Sequence, residues 1–93
     1  MSGIALLIPA QAHAQSAEAE ALRRAAPIIA DYLDVDVSRV VPEARIVEDL
    51  GADDLDRVEL VMLMEDEFIV EISDEKLDRM VTVADLVAAA IGR

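Results

Sequence analysis

Apolar side chains recur three and four residues apart in three separated segments of this chain, which is the spacing of one face of an α-helix. A shorter segment follows Ser73 and the last segment follows Thr82, and both residues are good helix N-caps. The pattern predicts an all-α four-helix bundle with a long first loop and a short third helix. The periodic residues of the first and last segments are Leu22, Ala25, Ala26, Ile29, Leu33, Val83, Leu86, Val87, Ala90 and Ile91.

Two prolines qualify this helical pattern. Pro27 lies inside the first segment, where a proline removes one backbone donor and crowds the preceding turn, so we expect a continuous, kinked helix from about Ala17. Pro42 lies in the connection 34–47, whose alternating valines could also indicate a strand. Because Pro42 interrupts that stretch and no second strand is evident, we expect a loop held against the helices by apolar side chains. These side chains are Val35, Val40, Val41 and Ile46.

The charge balance restricts the classes of partner. The 93 residues include 20 Asp and Glu against 8 Lys and Arg, a formal net charge of −12. Nucleic acids and anionic membranes would repel such a chain, so the expected partners are proteins with basic patches. A hydrophobic fraction of 55% argues against disorder, and the lack of cysteine excludes a disulfide framework. A chain of this length forms one small domain, which we expect to be monomeric.

The first 16 residues, MSGIALLIPAQAHAQS, differ from the rest. An apolar run followed by Ala-His-Ala resembles the end of a secretory signal, but no Lys or Arg precedes Arg23, and the run is too short to span a bilayer. A floppy extension or a misplaced start codon is therefore the better explanation of this segment. We therefore divide the chain into a flexible or signal-like extension, residues 1–16, and one domain, residues 17–93. His13 has no neighbour at ligand spacing, so no metal site is expected there.

The helix expected over residues 54–68 carries two apolar stripes. At about 100° per residue, the two stripes lie roughly 140° apart around the helix. The inner stripe contains Leu60, Val61, Met64 and Phe68; the outer stripe contains Leu55, Val58 and Met62 and is flanked by Asp56, Glu59, Glu65 and Asp66. A fully enclosed helix would bury both stripes, but it would bury the carboxylates too. We therefore favour an outer stripe that binds a partner, with an acidic rim that steers it.

Asp54 stands where this helix begins. An Asp at a helix start can accept hydrogen bonds from the N–H groups of the first turn, so a role as N-cap is the simplest interpretation. A cation site with Asp53 and Asp56 is a weaker alternative, and the calcium-loop pattern fails because Arg39 and Arg45 stand where Gly and Glu belong. The domain has no histidine and no Gly-rich phosphate loop. No catalytic residue is therefore expected, and the chain is not expected to be an enzyme.

The stretch VEDLGADDLDRVELVMLMEDEFIVEIS, residues 47–73, closely resembles acyl carrier proteins, in which a Leu-Gly-Ala-Asp-Ser-Leu loop opens the second helix. The match extends from about Leu22 to Ile91. The resemblance implies a cytoplasmic four-helix bundle of fatty-acid or related synthesis that carries acyl groups as thioesters on a 4'-phosphopantetheine arm. A transferase attaches that arm to the loop Ser, and Asp54 occupies the matching position here. The loop residues that match around it are Leu50, Gly51, Ala52, Asp53 and Leu55.

The resemblance also implies two surfaces. One is a face that binds phosphopantetheinyl transferase and acyl-chain synthases or transferases with basic surfaces. On this chain it comprises Leu55, Asp56, Val58, Glu59, Met62, Glu65, Asp66 and Met80. The other is a groove between the second and third helices that shelters an acyl chain. The residues expected to line it are Met64, Phe68, Ile72 and Met80.

The departure from the family pattern decides the functional prediction. A carboxylate that attacked phosphorus would form a mixed anhydride that water cleaves, so no arm is expected on Asp54. Two explanations remain: a Ser→Asp substitution made to hold the protein in its unmodified form, or a natural pseudo-carrier. The signal-like N-terminus favours the second, as does Ile69, where the family usually has a small or polar residue. The alternative function is a non-carrying scaffold or regulator that binds acyl-chain enzymes through the acidic face of the second helix.

Overall fold

The computed structural model describes the backbone of residues 10–93 and the side chains of residues 17–93. Its four α-helices are α1 (Ala10–Leu33), α2 (Asp54–Phe68), α3 (Asp74–Arg79) and α4 (Val83–Ala90), with a short 3-10 helix at Val37–Arg39. Within residues 10–93 there is no strand, only an isolated antiparallel bridge between Arg45 and Thr82. The all-α fold with a long first loop and a short third helix is confirmed.

The first helix begins earlier than the sequence pattern indicated. α1 starts at Ala10, seven residues before Ala17, and it continues through Pro27. The added segment AQAHAQS is rich in Ala and Gln, which are strong helix formers. The remainder of the expected N-terminal extension, residues 1–9, lies outside the described residues. Within residues 10–93, no helix combines the length and the apolar character that crossing a membrane requires.

The inner face of α2 lies in an aliphatic core. Leu60 and Met64 are completely buried, and α2 packs against α1, α3 and α4. Each fully buried side chain of this size contributes about 1.5–3 kcal/mol of hydrophobic stabilisation. The largest completely buried side chains are Ile29, Ile46, Leu60, Met64, Leu86 and Val83. No polar or charged residue among residues 17–93 is buried in this core.

The long loop is held to the start of α4 by backbone hydrogen bonds. The Ile46 N–H donates to the Val81 carbonyl at 2.8 Å, and the Val83 N–H donates to the Ala44 carbonyl at 2.9 Å. Val40 and Ile46 are buried and Val35 is half-buried, so these three side chains hold the loop as expected. Val41 does not, because its side chain is exposed.

The C-terminal end of α2 carries no basic residue of its own, although Glu65, Asp66 and Glu67 lie there against the negative end of the helix dipole. Arg24 of α1 supplies the missing cation. Its Nη2 donates to the Glu67 carbonyl oxygen at 2.8 Å, and its guanidinium lies 4.2 Å from the centroid of the Phe68 ring. Arg24 therefore stabilises the end of α2 from a neighbouring helix.

α2 stops at a strained residue. Ile69 is its C-cap, in the left-handed conformation with φ 56° and ψ 55°, and its N–H donates to the Glu65 carbonyl. This conformation costs an L-residue about 1–2 kcal/mol, and a β-branched side chain fits it poorly. The Ile69 side chain is 86% exposed, so packing does not compensate for the strain.

We therefore expect Ile69→Gly to raise the free energy of unfolding by about 1 kcal/mol, because glycine adopts positive φ freely and no buried contact is lost. Chemical denaturation at pH 7 measures the change. Ile69→Val is the control, since it keeps the branched Cβ and should leave stability within about 0.5 kcal/mol of the wild type. A loss of stability in Ile69→Gly would show that the side chain packs or that the turn is not strained.

Candidate functional site

The loop before α2 alternates buried and exposed residues. Leu50 and Ala52 are buried, whereas Gly51 and Asp53 are exposed. Gly51 has φ +80°, a conformation that other residues rarely adopt, so the loop needs glycine at this position. The Ala52 N–H donates to the Ile46 carbonyl at 3.1 Å. The two buried side chains and the turn at Gly51 fix where α2 begins.

The N-cap of α2 is Asp53 and not Asp54, so the sequence prediction was wrong on this point. Asp53 has extended backbone, and its carboxylate accepts a hydrogen bond from the Asp56 N–H at 2.8 Å. The Asp56 carboxylate in turn accepts from the Asp53 N–H at 3.1 Å. This reciprocal pair is a capping box. Asp54 is one residue too late for the role, because it is already the first residue of the helix.

Tyr32 of α1 ties the capping box to the rest of the bundle. Its hydroxyl donates to Oδ1 of Asp56 at 3.1 Å. The backbone hydrogen bond from Asp53, supported by the Tyr32 hydroxyl, holds the pKa of Asp56 below its ordinary value. Partial desolvation, with the Asp56 contact, raises the pKa of Tyr32. Asp56 is therefore engaged inside the molecule on both of its carboxylate oxygens.

Asp54 itself is exposed at the first position of α2. Among residues 17–93, its carboxylate takes part in no hydrogen bond and no ion pair. The carboxylates of Asp53 and Asp56, by contrast, both accept hydrogen bonds from the chain. The exposed position is accessible to an approaching enzyme.

The outer stripe of α2 is exposed as the sequence predicted. Leu55 is 70% exposed, Val58 40% and Met62 51%. Glu59 and Asp66 lie beside these side chains along the helix, with Glu59 half-buried and Asp66 exposed. The surface thus combines apolar contact area with negative charge. Its role in binding a partner stays a prediction.

Two residues of the expected partner-binding face, Glu65 and Met80, make contacts inside the molecule. Oε2 of Glu65 accepts a hydrogen bond from the Ile72 N–H at 2.9 Å, so this carboxylate holds the chain that follows α2. Met80 is only 4% exposed, and the structure therefore does not present it to a docking protein. The reason is tertiary: the segment after α3 turns its side chain into the core.

The four residues expected to line an acyl groove lie together at the core. Met64, Ile72 and Met80 are buried, and the half-buried Phe68 packs against the same cluster. An apolar cleft of about 310 Å³ lies elsewhere, between α1, the long loop and α4. Its lining residues are Glu18, Ala19, Leu22, Pro42, Ala84 and Val87.

Arg57 is a residue of this region that the sequence analysis did not identify. Its Nη2 donates to the Leu77 carbonyl at 2.6 Å and to the Met80 carbonyl at 2.9 Å. The side chain therefore connects α2 to the C-terminal end of α3, where the helix leaves carbonyl groups unpaired. One feature of the sequence could have identified it: Arg57 is the single basic residue of α2.

The acidic residues do not form an evident metal centre. In the part of the chain whose side chains are described, no group of three or more His, Cys, Asp or Glu is arranged to hold a metal ion. Asp53 and Asp56 direct their carboxylates to each other's backbone N–H groups instead.

The Asp56 contacts predict a pH-dependent contribution to stability. A carboxyl with a depressed native pKa stabilises the fold fully above its unfolded pKa, about 3.9, and the contribution is lost as pH falls through the lower native pKa. We therefore expect Asp56→Asn to be less stable than the wild type at neutral pH. The gap should narrow as the pH falls below the unfolded pKa of about 3.9 and through the lower native pKa, as measured by thermal unfolding.

Asp66→Asn is the control for the loss of one negative charge from α2, because the Asp66 carboxylate accepts no hydrogen bond from residues 17–93. It should not reproduce the loss of stability at neutral pH. A gap between wild type and Asp56→Asn that stayed constant down to about pH 2 would contradict the prediction.

Comparisons of the sequence with known proteins assign the chain to a family. The family model described as "Phosphopantetheine attachment site" matches residues 23–90. The acyl carrier protein of Thermosynechococcus vestitus (strain NIES-2133 / IAM M-273 / BP-1) is 51% identical over 69 residues, which cover 74% of this chain and 85% of that protein. The match includes the loop, the helix that follows it and the short third helix. The chain belongs to the acyl carrier protein family.

Proposed function

We propose that this chain is an acyl-carrier-type protein of fatty-acid or related acyl-chain synthesis whose own arm attachment is blocked at position 54. It presents the outer stripe of α2 to enzymes with basic surfaces, including phosphopantetheinyl transferase and acyl-chain synthases. The observation that carries the proposal is the exposed carboxylate of Asp54 at the start of α2, in a loop that otherwise matches the attachment loop. The proposal includes a monomeric, cytoplasmic protein without enzymatic activity of its own, as the family resemblance implies.

The residues present do not fit the phosphopantetheine group. A serine hydroxyl oxygen can attack the pyrophosphate of coenzyme A, displace the nucleotide and retain a stable phosphodiester. An Asp carboxylate oxygen would form an acyl phosphate instead, and water cleaves that bond. The serine and threonine hydroxyls among residues 17–93 do not replace it, because Ser73 and Thr82 cap α3 and α4 and Ser38 lies in the 3-10 helix.

The exposed apolar residues of α2 support the docking part of the proposal. Leu55 and Met62 are both more than half exposed, whereas nearly all other Leu, Ile and Met side chains among residues 17–93 are buried or half-buried. Apolar contact area gives affinity at protein interfaces, whereas surrounding charges accelerate and orient the encounter. The net charge of −12 favours a basic partner.

A second candidate function is a scaffold or regulator that never takes part in carriage. The retention of an exposed docking face beside a position that cannot be modified favours it. The two candidates differ in what happens when the serine is restored. A blocked carrier should then accept the arm, whereas a diverged scaffold should not.

The first prediction from this proposal concerns arm attachment. The measurement is the intact mass of each protein after incubation with coenzyme A and a broad-specificity phosphopantetheinyl transferase. The wild type should keep its mass, and Asp54→Ser should gain one phosphopantetheine. A gain by the wild type would overturn the blocked-carrier proposal. Failure of both chains would favour the scaffold.

The second prediction concerns the docking face. Val58→Glu and Met62→Glu should each weaken binding to the transferase about tenfold. Each substitution replaces apolar contact area with a carboxylate that must lose its water when the partner binds. The dissociation constants can be measured by calorimetry.

Val37→Glu is the matched control for docking, since Val37 is as exposed as Met62, at 51%, but lies in the 3-10 helix. It should bind like the wild type. Equal binding by all four proteins would show that the outer stripe is not the docking face.

A further inference from the structure

The fold explains the presence of Asp at position 54 only in part, since an acidic residue in the first turn of α2 favours the helix dipole. Asp53 already caps α2, and the Asp54 carboxylate makes no hydrogen bond or ion pair with residues 17–93. The side chain is exposed, so it fills no space in the core. What Asp54 provides is a negative charge on the surface, at the first position of the helix.

By the resemblance of its loop, position 54 corresponds to the residue that carries the phosphopantetheine group in the family whose model matches residues 23–90. A phosphodiester carries one negative charge at neutral pH, and so does an exposed carboxylate. The carboxylate oxygens lie one bond nearer the backbone than the phosphate oxygens would. The two groups therefore present the same charge from the same residue, at similar distances from the helix.

The neighbouring carboxylates make this charge distinct. Oδ1 of Asp53 accepts from the Asp56 N–H at 2.8 Å, and the Asp56 carboxylate accepts from the Asp53 N–H at 3.1 Å and from the Tyr32 hydroxyl at 3.1 Å. Both are committed to the capping box. Of the carboxylates of Asp53, Asp54 and Asp56, that of Asp54 alone makes no hydrogen bond with residues 17–93, so both of its oxygens can pair with a basic side chain of a partner.

We propose that Asp54 substitutes for the phosphate charge of an arm-bearing carrier, so that this chain competes with such carriers for enzymes that recognise the phosphate. The inference rests on the proposed function, since it uses the same docking face. The outer stripe supplies apolar contact and Asp54 supplies the anion. The arm is absent, so the enzyme's own channel for it stays empty and the bound chain is not a substrate.

This inference predicts an order of affinities for one partner. The wild type should bind an acyl-chain synthase that acts on arm-bearing carriers more tightly than Asp54→Asn or unmodified Asp54→Ser, by about three- to tenfold at low salt. Asp54→Ser that has been given the arm should bind at least as tightly as the wild type. The advantage of the wild type over Asp54→Asn should shrink in high salt, because ions screen an exposed charge pair.

The experiment measures dissociation constants of these four proteins for the synthase by calorimetry, at low and high salt. Asp31→Asn is the matched control: it removes the same charge from an exposed position on α1 that belongs neither to the outer stripe nor to its acidic rim. It should change affinity less than twofold. Thermal unfolding of every variant checks that the bundle is intact.

Two results would overturn the inference. One is equal affinity of the wild type and Asp54→Asn, and the other is an equal loss in Asp54→Asn and Asp31→Asn, which would indicate a general charge effect. Val58→Glu and Met62→Glu separate this failure from failure of the proposed function. If they weaken synthase binding while Asp54→Asn does not, the docking face stands and the phosphate substitution is wrong. If they leave binding unchanged, the docking face is wrong as well.

Discussion

The burial of one face of α2 is the constraint on which the rest of the candidate site depends. Leu60 and Met64 are completely buried against the other helices. Because successive residues turn by about 100°, fixing that face also fixes the direction of every other side chain on the helix. Leu55 and Met62 must then face outward, and Asp54 must lie at the exposed start of the helix. The site is thus a consequence of core packing in a small aliphatic bundle.

Electrostatics on this surface follow from how few basic residues the chain has. Several arginines make internal contacts: Arg24 with Glu67 and Phe68, Arg45 with Asp49, and Arg57 with the carbonyls at the end of α3. The exposed ion pairs Arg24–Glu67 and Arg45–Asp49 each contribute little to stability. Of these arginines, Arg24 is the one that pairs with a carboxylate of α2, so the acidic excess of that helix is largely uncompensated. The negative field that would steer a basic partner therefore persists.

Position 54 shows how one substitution can separate two properties of a family. The capping box at the start of α2 is formed by Asp53 and Asp56 and does not use the side chain of residue 54. Under the proposed function, a carboxylate in place of the family's serine hydroxyl removes the chemistry of arm attachment and leaves the capping box as it is. Under the proposed function, Asp54 also adds a charge at the position that corresponds to the family's attachment residue. A protein built in this way can keep the surface of a carrier and lose the cargo.

The sequence by itself determined the order of the helices, the caps at Ser73 and Thr82 and the two stripes of α2, because each depends on local spacing or on the identity of one side chain. Only the tertiary structure decided which aspartate caps α2, that Met80 is buried, and that Tyr32, Arg24 and Arg57 join helices. The Tyr32 and Arg57 contacts connect residues 24 and 20 positions apart, and the Arg24 contact spans 43. Such contacts leave no periodic trace in the sequence, since they arise only when packing of the core brings separate helices together.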